Sequence, residues 1–217
     1  MKNLNNSKQS VKPLLRGHSH QAAFFFALGA CSVLLLNAHG TRTLIATIIY
    51  SFSLIALFGV SALYHRLNWK PEQRIWMRRM DHAAIYVLIA GTSTPICLLA
   101  LSPIAGVKLL QLVWCAASFG ILQSLFWVNV PKWLSSAMYV TVGCLIIPFF
   151  SEVKVAFTLK DIWLIVAGGA VYILGAIVYA AKKPDPFPSI FGYHEIFHLL
   201  VIVGASFHFL VNYKLIN

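Results

Sequence analysis

The sequence predicts an all-α protein, a bundle of seven transmembrane helices with a cytoplasmic N-terminus and a C-terminus outside. Three observations predict this fold. Hydrophobic residues make up 59% of the 217 residues and charged residues only 11%, which is too apolar for a soluble domain of this length. The apolar residues form repeated runs long enough to cross a bilayer, which takes about 20 residues of helix. The lysines and arginines concentrate in alternate connections between the runs.

Seven runs meet this length requirement. In chain order they cover residues 21–38, 43–65, 81–102, 107–128, 133–150, 161–181 and 194–213. Their connections are short, so the chain divides into a basic cytoplasmic tail, 1–20, and a membrane domain, 21–217. The first run follows a basic segment, as in a signal peptide, but it is long for one and Asn-Ala-His-Gly at 37–40 is a poor cleavage site. We therefore expect it to be retained as the first helix.

The net charge of +11 does not indicate a nucleic-acid-binding protein, because the basic residues lie in the connections between apolar runs. With the N-terminus inside, twelve of them are cytoplasmic: Lys2, Lys8, Lys12, Arg16, Arg66, Lys70, Arg74, Arg78, Arg79, Lys132, Lys182 and Lys183. Five lie on the opposite side: Arg42, Lys108, Lys154, Lys160 and Lys214. This division predicts the stated orientation by the positive-inside rule. The compact chain suits a bacterial inner membrane.

Ionisable side chains at the ends of the apolar runs form three motifs. They are Ser61-x-x-x-His65, Asp81-His82 and His194-Glu195-Ile-Phe-His198. Such residues are costly in a bilayer and mark functional sites. In the predicted topology the second run ends, and the third and seventh begin, at the cytoplasmic face. Because helices distant in sequence can be neighbours in a bundle, we expect the three motifs to form one site.

The residue types in these motifs suit a zinc centre. His194 and His198 are four residues apart, so they project from one helix face and can bind the same ion. With His65 they leave a fourth coordination position for a water, which Asp81 could hydrogen-bond and deprotonate. A closed structural site would instead take Asp81 as its fourth ligand. Ser61 lies one turn before His65, and we expect it to support the site.

Each residue also has a purely structural interpretation. A single histidine in a membrane helix is often a hydrogen-bonded link between helices. Asp81 can pair with Arg78 or Arg79 of the basic loop predicted at 66–79. Ser61 can bond the carbonyl one turn back, as serines in apolar helices often do. The occurrence of all these residues at one depth favours a site.

The C-terminal motif also matches the zincin protease signature, His-Glu-x-x-His, in which Glu195 would be the general base. The extended signature requires Gly at position 201 and His at position 204, where this chain has Val201 and Gly204. No acidic residue follows Glu195, so a third ligand must come from upstream, and His65 lies at the right depth. We therefore expect Glu195 to face a neighbouring helix or the membrane interface.

Three segments resemble the hemolysin III family. They are Ser61-Ala-Leu-Tyr-His65, Asp81-His-Ala-Ala-Ile-Tyr-Val-Leu-Ile-Ala-Gly-Thr-Ser-Thr-Pro95, and His194-Glu-Ile-Phe-His198 with Phe207-His208-Phe209. The family belongs to the progestin and adipoQ receptor group and is more distantly related to alkaline ceramidases. The resemblance covers spans 2 to 7. It is weak at the N-terminus, where only Ser19-His20 aligns, and the family's usual Tyr in Gly-Thr-Tyr-Thr-Pro is Ser93 here.

The resemblance implies zinc held near the cytoplasmic side by His65, His194 and His198, with Asp81 orienting a bound water. Ser61 occupies a signature position of the wider superfamily. That superfamily includes amide hydrolases acting on ceramide, which implies attack by zinc-activated water on the carbonyl of a membrane lipid. The alternative is a non-enzymatic protein, either receptor-like with a structural zinc or cytolytic and pore-forming, as the family name records. The uniformly apolar spans do not resemble a pore.

Two further histidines match the family's pattern. His82 lies about 100° round its helix from Asp81, and His208 lies about 15 Å beyond His198 along the helix axis. We therefore expect neither to bind the metal.

Overall fold

The computed structural model describes residues 12–127 and 129–217, and in them seven helices long and apolar enough to span a membrane form one bundle. They are α1 (His18–Asn37), α2 (Thr41–Arg66), α3 (Pro71–Ala100), α4 (Pro103–Phe126), α5 (Lys132–Ala156), α6 (Leu159–Ala181) and α7 (Tyr193–Ile216). These described residues contain no β-strand. The predicted all-α bundle of seven helices is confirmed. Residues 1–11 of the predicted basic tail lie outside the described residues.

The helices pack in sequence order around α3. Each helix contacts the next one in the chain, and α1 also contacts α7. α3 is the most buried helix and contacts α2, α4, α5 and α7. Short connections make successive helices antiparallel, so α2 ends where α3 and α7 begin. We call this the His65 end of the bundle.

The distribution of side chains is that of a bundle solvated by lipid. Large apolar side chains such as Phe26, Phe52 and Phe119 are exposed on its outer surface. Small residues allow the helices to approach closely inside it. On α3, the space that a Cβ of Gly91 would need is already filled by the Ser53 side chain of α2. Such close approach provides the van der Waals contact that holds transmembrane helices together.

The prediction that the third helix starts at residue 81, after a basic loop, is wrong. α3 begins at Pro71. Proline suits this position, because the first N–H groups of a helix have no partner within the helix and the N–H that proline lacks is not needed. The Gln73 side chain accepts the backbone N–H of Lys70 at 3.2 Å and caps this start. Hydropathy detects the bilayer boundary, and the helix extends beyond it. Asp81 therefore lies about three turns into α3 instead of at its first position.

Pro95 ends the regular part of α3, which continues as one π-helical turn, Ile96–Ala100. Polar side chains satisfy backbone groups around this point. The side-chain amide of Asn212 on α7 donates to the Thr92 carbonyl at 3.2 Å, and the Thr94 hydroxyl donates to the carbonyl one turn back at 2.8 Å. Side-chain donors such as that of Asn212 help to make a proline tolerable within a membrane helix.

Candidate metal centre

His65 lies in the last turn of α2, and the end of that helix is well bonded. The indole N–H of Trp69 donates to the Leu63 carbonyl at 3.1 Å, and the backbone N–H of Leu67 bonds the same carbonyl at 3.2 Å. The Leu63 carbonyl therefore accepts two hydrogen bonds at the end of α2, one from the backbone and one from a side chain. The His65 side chain, two residues after Leu63, is buried in the bundle.

The first turn of α7 is fixed by two carboxylates. Glu195 accepts the backbone N–H of Gly192 at 2.8 Å, and Asp185 accepts the backbone N–H of the next residue at 3.0 Å. Both bonds cap the helix start, where negative charge is favourable. His194 and His198, one turn apart, are buried in the bundle.

The three histidines predicted as metal ligands lie together. Nε2 of His65 and Nε2 of His194 are 3.2 Å apart. The ring centroids of the three side chains are separated by 4.6, 4.7 and 5.0 Å. One nitrogen from each of His65, His194 and His198 lies within 4.8 Å of the other two. Residues 129 positions apart therefore form one group that could hold a metal ion.

Asp81 lies beside this group. Its Oδ2 is 3.7 Å from Nε2 of His65, too far for a direct hydrogen bond but close enough for one water or ion to contact both. In the described part of the chain Asp81 forms no ion pair with an arginine. Its carboxylate is therefore free to act on a group bound between it and the histidines.

Ser61 lines the same cavity as Asp81 and is 2% exposed. Seven other serine and threonine hydroxyls in the described residues bond a carbonyl three or four positions back in their own helix. Ser61 makes no such bond there, so its hydroxyl remains available to a group in the cavity.

Glu195 is engaged elsewhere. Besides accepting the Gly192 N–H, its carboxylate forms an ion pair with Nε of Arg16, in the segment before α1. The backbone N–H groups of Leu14 and Leu15 in that segment bond carbonyls of the α6–α7 loop at 2.9 and 3.0 Å. With both oxygens occupied, Glu195 is not positioned as a zincin base.

The start of α1 packs on the histidines. Gly17 has φ +83°, a conformation that favours glycine, and a Cβ at this position would lie 2.6 Å from Cβ of His65. His20 stacks on His198 with ring centroids 3.8 Å apart and an interplanar angle of 9°. Neither nitrogen of His20 has a hydrogen-bond partner among the described residues. The N-terminal segment therefore forms one wall of the site.

A cavity of about 880 Å³ surrounds the predicted site residues at the His65 end, within the range of roughly 300–1,000 Å³ typical of ligand pockets. A second, apolar cleft of about 180 Å³ lies among α2, α3, α5, α6 and α7. Leu57, Ile85, Tyr139 and Phe197 line both spaces. The polar cavity and the apolar cleft are therefore neighbours.

The two remaining motif histidines differ in position. His82 lines the polar cavity but does not belong to the three-histidine group. His208 lines the apolar cleft, where its ring stacks on that of Tyr172 at 5.6 Å. Neither contributes to the group that could bind a metal.

The donor set suits zinc. Two nitrogens bound to one tetrahedral zinc lie about 3.4 Å apart, close to the 3.2 Å between His65 and His194. Nδ1 of His198 is buried and has no hydrogen-bond partner in the described part of the chain. Imidazole nitrogens are preferred zinc ligands, and three of them leave a fourth position open. The residues present therefore fit a three-histidine zinc site.

The fold and the site define an integral, multi-pass membrane protein of seven helices with a buried group of three histidines at one end. The family model described as "Haemolysin-III related" matches residues 8–209. The chain belongs to this haemolysin III family, and the resemblance carried by its motifs is confirmed.

Three relatives show the extent of the similarity. "Hemolysin-3" of Bacillus cereus is 32% identical over 194 residues, which are 88% of this chain and 85% of that protein. "Hemolysin-3 homolog" of Bacillus subtilis (strain 168) is 35% identical over 73% of this chain and 71% of that protein. The human "Monocyte to macrophage differentiation factor" is 27% identical over 76% of this chain and 68% of that protein. The chain thus resembles both bacterial and human proteins over most of its length.

Several residues at the site were not predicted from the sequence. They are Lys12, Arg16, Gly17, Lys132, Tyr179 and Tyr193. The basic residues among them were expected at the membrane surface, because the local sequence does not distinguish a lysine in a cavity from an exposed one. The aligned Ser19-His20 fragment was the one sequence signal for the N-terminal wall.

Proposed function

We propose that this protein is a zinc-dependent membrane hydrolase of lipid amides or esters. The proposal depends on one observation: three buried histidine nitrogens lie within 4.8 Å of one another, beside the Asp81 carboxylate, in a cavity of the membrane bundle. A purely structural zinc is usually closed by four protein ligands. Three histidines leave one position for a reactant.

In this proposal His65, His194 and His198 hold the zinc, which when bound acidifies water and polarises a carbonyl. Asp81 accepts a proton from the attacking water as the new C–O bond forms. It returns that proton to the leaving nitrogen or oxygen as the scissile C–N or C–O bond breaks. Ser61 holds the Asp81 carboxylate in position.

The two neighbouring spaces suit an amphipathic substrate. The larger cavity reaches exposed residues such as Lys12 and Arg74, whereas the cleft is lined mainly by apolar side chains. Leu57 and Phe197 line both, and Phe197 directly precedes His198. A lipid with its polar end in the cavity and a hydrocarbon chain in the cleft would bring its carbonyl near the histidines.

We also propose that the N-terminus is cytoplasmic and the C-terminus outside, so that the site lies near the cytoplasmic face of a bacterial inner membrane. The excess of basic residues at the His65 end supports this orientation. The Lys183→Cys variant should gain reaction with an impermeant maleimide in inverted vesicles and not in intact cells. The reverse result would require the opposite orientation.

The hydrolase proposal is tested with purified protein and a panel of lipid amides and esters that carry a labelled acyl chain. We expect release of the labelled acid, its loss on chelation and its recovery with zinc. Asp81→Asn should keep the zinc and lose at least about 100-fold in cleavage rate. His39→Asn, at an exposed position of the opposite end of the bundle and in the lining of neither space, should cleave normally. Cleavage that is insensitive to chelation or to Asp81→Asn would contradict the proposal.

A non-enzymatic protein is the second candidate, because two relatives are named for haemolysis. This class includes a direct cytolysin and a receptor-like protein with a structural zinc. Liposomes loaded with a fluorescent dye separate a direct cytolysin from the hydrolase. Leakage caused by a variant with His65, His194 and His198 all replaced by alanine would favour direct lysis. Leakage that requires zinc and accompanies lipid cleavage would favour the hydrolase.

A further inference from the structure

The cavity around the histidines is strongly basic. Six cationic side chains line it: Lys12, Arg16, Arg74, Arg78, Arg79 and Lys132. All but Lys12 and Arg74 are half-buried. In the described residues Asp81 is the only carboxylate that lines the same cavity. The positive charge of the wall therefore greatly exceeds its negative charge.

In the described residues, Arg16 is the one cation of this wall that forms an ion pair, with Glu195. Its six acidic residues are Glu72, Asp81, Glu152, Asp161, Asp185 and Glu195. In the described residues none of them forms an ion pair with Arg78, Arg79 or Lys132. Residues 1–11 and 128 contain no aspartate or glutamate, so the rest of the chain supplies none. Half-buried charges without a partner are unfavourable, which indicates an anion from outside the protein.

The contacts that these cations do make are weak substitutes for an anion. Nζ of Lys132 donates to the Tyr193 hydroxyl at 2.6 Å and lies 4.4 Å from the ring centroid of Tyr179. The Arg79 guanidinium lies 4.5 Å from the Trp76 ring centroid, while its Nε is buried and has no hydrogen-bond partner within the described residues. Donors therefore remain for a ligand.

The cations are also crowded. Burial, together with the guanidinium groups of Arg74, Arg66 and Arg16, lowers the pKa of Lys12. Crowded like charges repel one another, and a bound anion would relieve that repulsion. A phosphate suits this wall best, because it carries more charge than a carboxylate and its oxygens match the fork of a guanidinium.

We propose that the cavity binds lipids whose polar end carries a phosphate group, which Arg78, Arg79 and Lys132 recognise. The substrate class of the hydrolase is then an anionic lipid with its acyl chain in the apolar cleft. This substrate assignment rests on the proposed hydrolase function, whereas the binding of the phosphate does not. Headgroups of the surrounding bilayer also attract exposed lysines, but Lys70 lies outside the cavity and provides a matched comparison.

Native mass spectrometry of the purified full-length protein tests the proposal. The probes are palmitoyl-lysophosphatidic acid and palmitoyl-glycerol at equal concentration, which differ only by the phosphate. We expect at least about a tenfold preference for the phosphate-bearing lipid. Arg78→Gln and Lys132→Gln should each reduce that preference at least about threefold, whereas Lys70→Gln should not. Equal binding of the two lipids, or an equal loss in Lys70→Gln, would overturn the proposal.

Two further measurements identify the ligand and separate this proposal from the hydrolase function. Inorganic phosphate in excess should leave most of the lipid bound to the protein. If phosphate at a concentration similar to that of the lipid displaced all of the bound lipid, free phosphate would be the ligand instead. The His198→Ala variant should keep the preference without any cleavage. A persistent preference with no cleavage by the wild type would defeat the hydrolase and leave the phosphate site standing. Thermal unfolding of each variant verifies that it is folded.

Discussion

Arg16 forms an ion pair with Glu195, which lies 179 residues further along the chain. Glu195 belongs to a His-Glu-x-x-His motif, yet its charge holds the segment before α1 against the first turn of α7. A site built from α2, α3 and α7 thereby acquires a wall from the N-terminal segment. The ion pair also explains how the chain can carry the protease-like motif without the protease arrangement.

Glu195→Gln should lower the free energy of unfolding by about 1–3 kcal/mol, because Arg16 loses the partner of a largely buried charge. The amide oxygen can still accept the Gly192 N–H, so zinc content should not change. Thermal unfolding in detergent and metal analysis measure the two effects. Glu72→Gln, at an exposed position of the same end, should alter neither. Unchanged stability with abolished peptide hydrolysis would instead support the zincin interpretation.

Gly17→Ala should reduce both stability and zinc retention, because the new Cβ would lie 2.6 Å from Cβ of His65. Gly40 provides a matched control, since it has a similar φ, +85°, but open space where a Cβ would lie. Gly40→Ala should therefore cost only the backbone strain, about 1 kcal/mol. Comparing melting temperatures and zinc loss in dilute chelator separates the two causes. Equal effects of the two substitutions would mean that the contact with His65 is unimportant.

Ser61→Ala should keep the zinc and slow lipid cleavage about tenfold, because Ser61 positions a group that acts on the reactant without binding the metal. Ser124→Ala is the control, since that hydroxyl already bonds the Gly120 carbonyl at 2.9 Å. Rates are measured on the best lipid of the panel. An unchanged rate in Ser61→Ala would remove Ser61 from the proposed machinery, and lost zinc would make it a metal-site residue.

His20→Ala should leave a void beside His198, destabilising the protein by about 2–4 kcal/mol and accelerating zinc dissociation. His20→Phe should retain zinc, because a phenyl ring can fill the same space and stack on His198. Stopped-flow transfer of zinc to a chromogenic chelator measures both rates. If the phenylalanine variant loses zinc as fast as the alanine variant, zinc retention requires the imidazole nitrogens of His20, and ring stacking on His198 is not sufficient.

The helices and the meeting of the three motifs were predictable because the bilayer imposes strong rules. A span needs about 20 apolar residues. Because successive spans cross the bilayer in opposite directions, every second connection lies at the same face. The four-residue spacing of His194 and His198 then fixes their common direction on one helix. These constraints are local or periodic, so a single sequence displays them.

Other features leave no local pattern. α3 starts at Pro71, inside a charged stretch that hydropathy excludes from the membrane and that therefore looks like a loop. The pairing of Arg16 with Glu195 joins the two ends of the chain, and no spacing rule links them. The residues that line the cavity are likewise decided by helix packing. Lys132 and Lys70 both lie at a helix start, but only Lys132 lines the cavity. Only their three-dimensional surroundings distinguish them.

The zinc content of the purified protein tests the central claim most directly. Inductively coupled plasma mass spectrometry of wild-type protein should find about one zinc per chain. His65→Ala, His194→Ala and His198→Ala should each lose it, while His208→Ala, which removes a half-buried imidazole of α7 outside the group, should keep it. Zinc retained in all three of the first variants, or absent from folded wild-type protein supplied with zinc, would contradict the three-histidine metal centre.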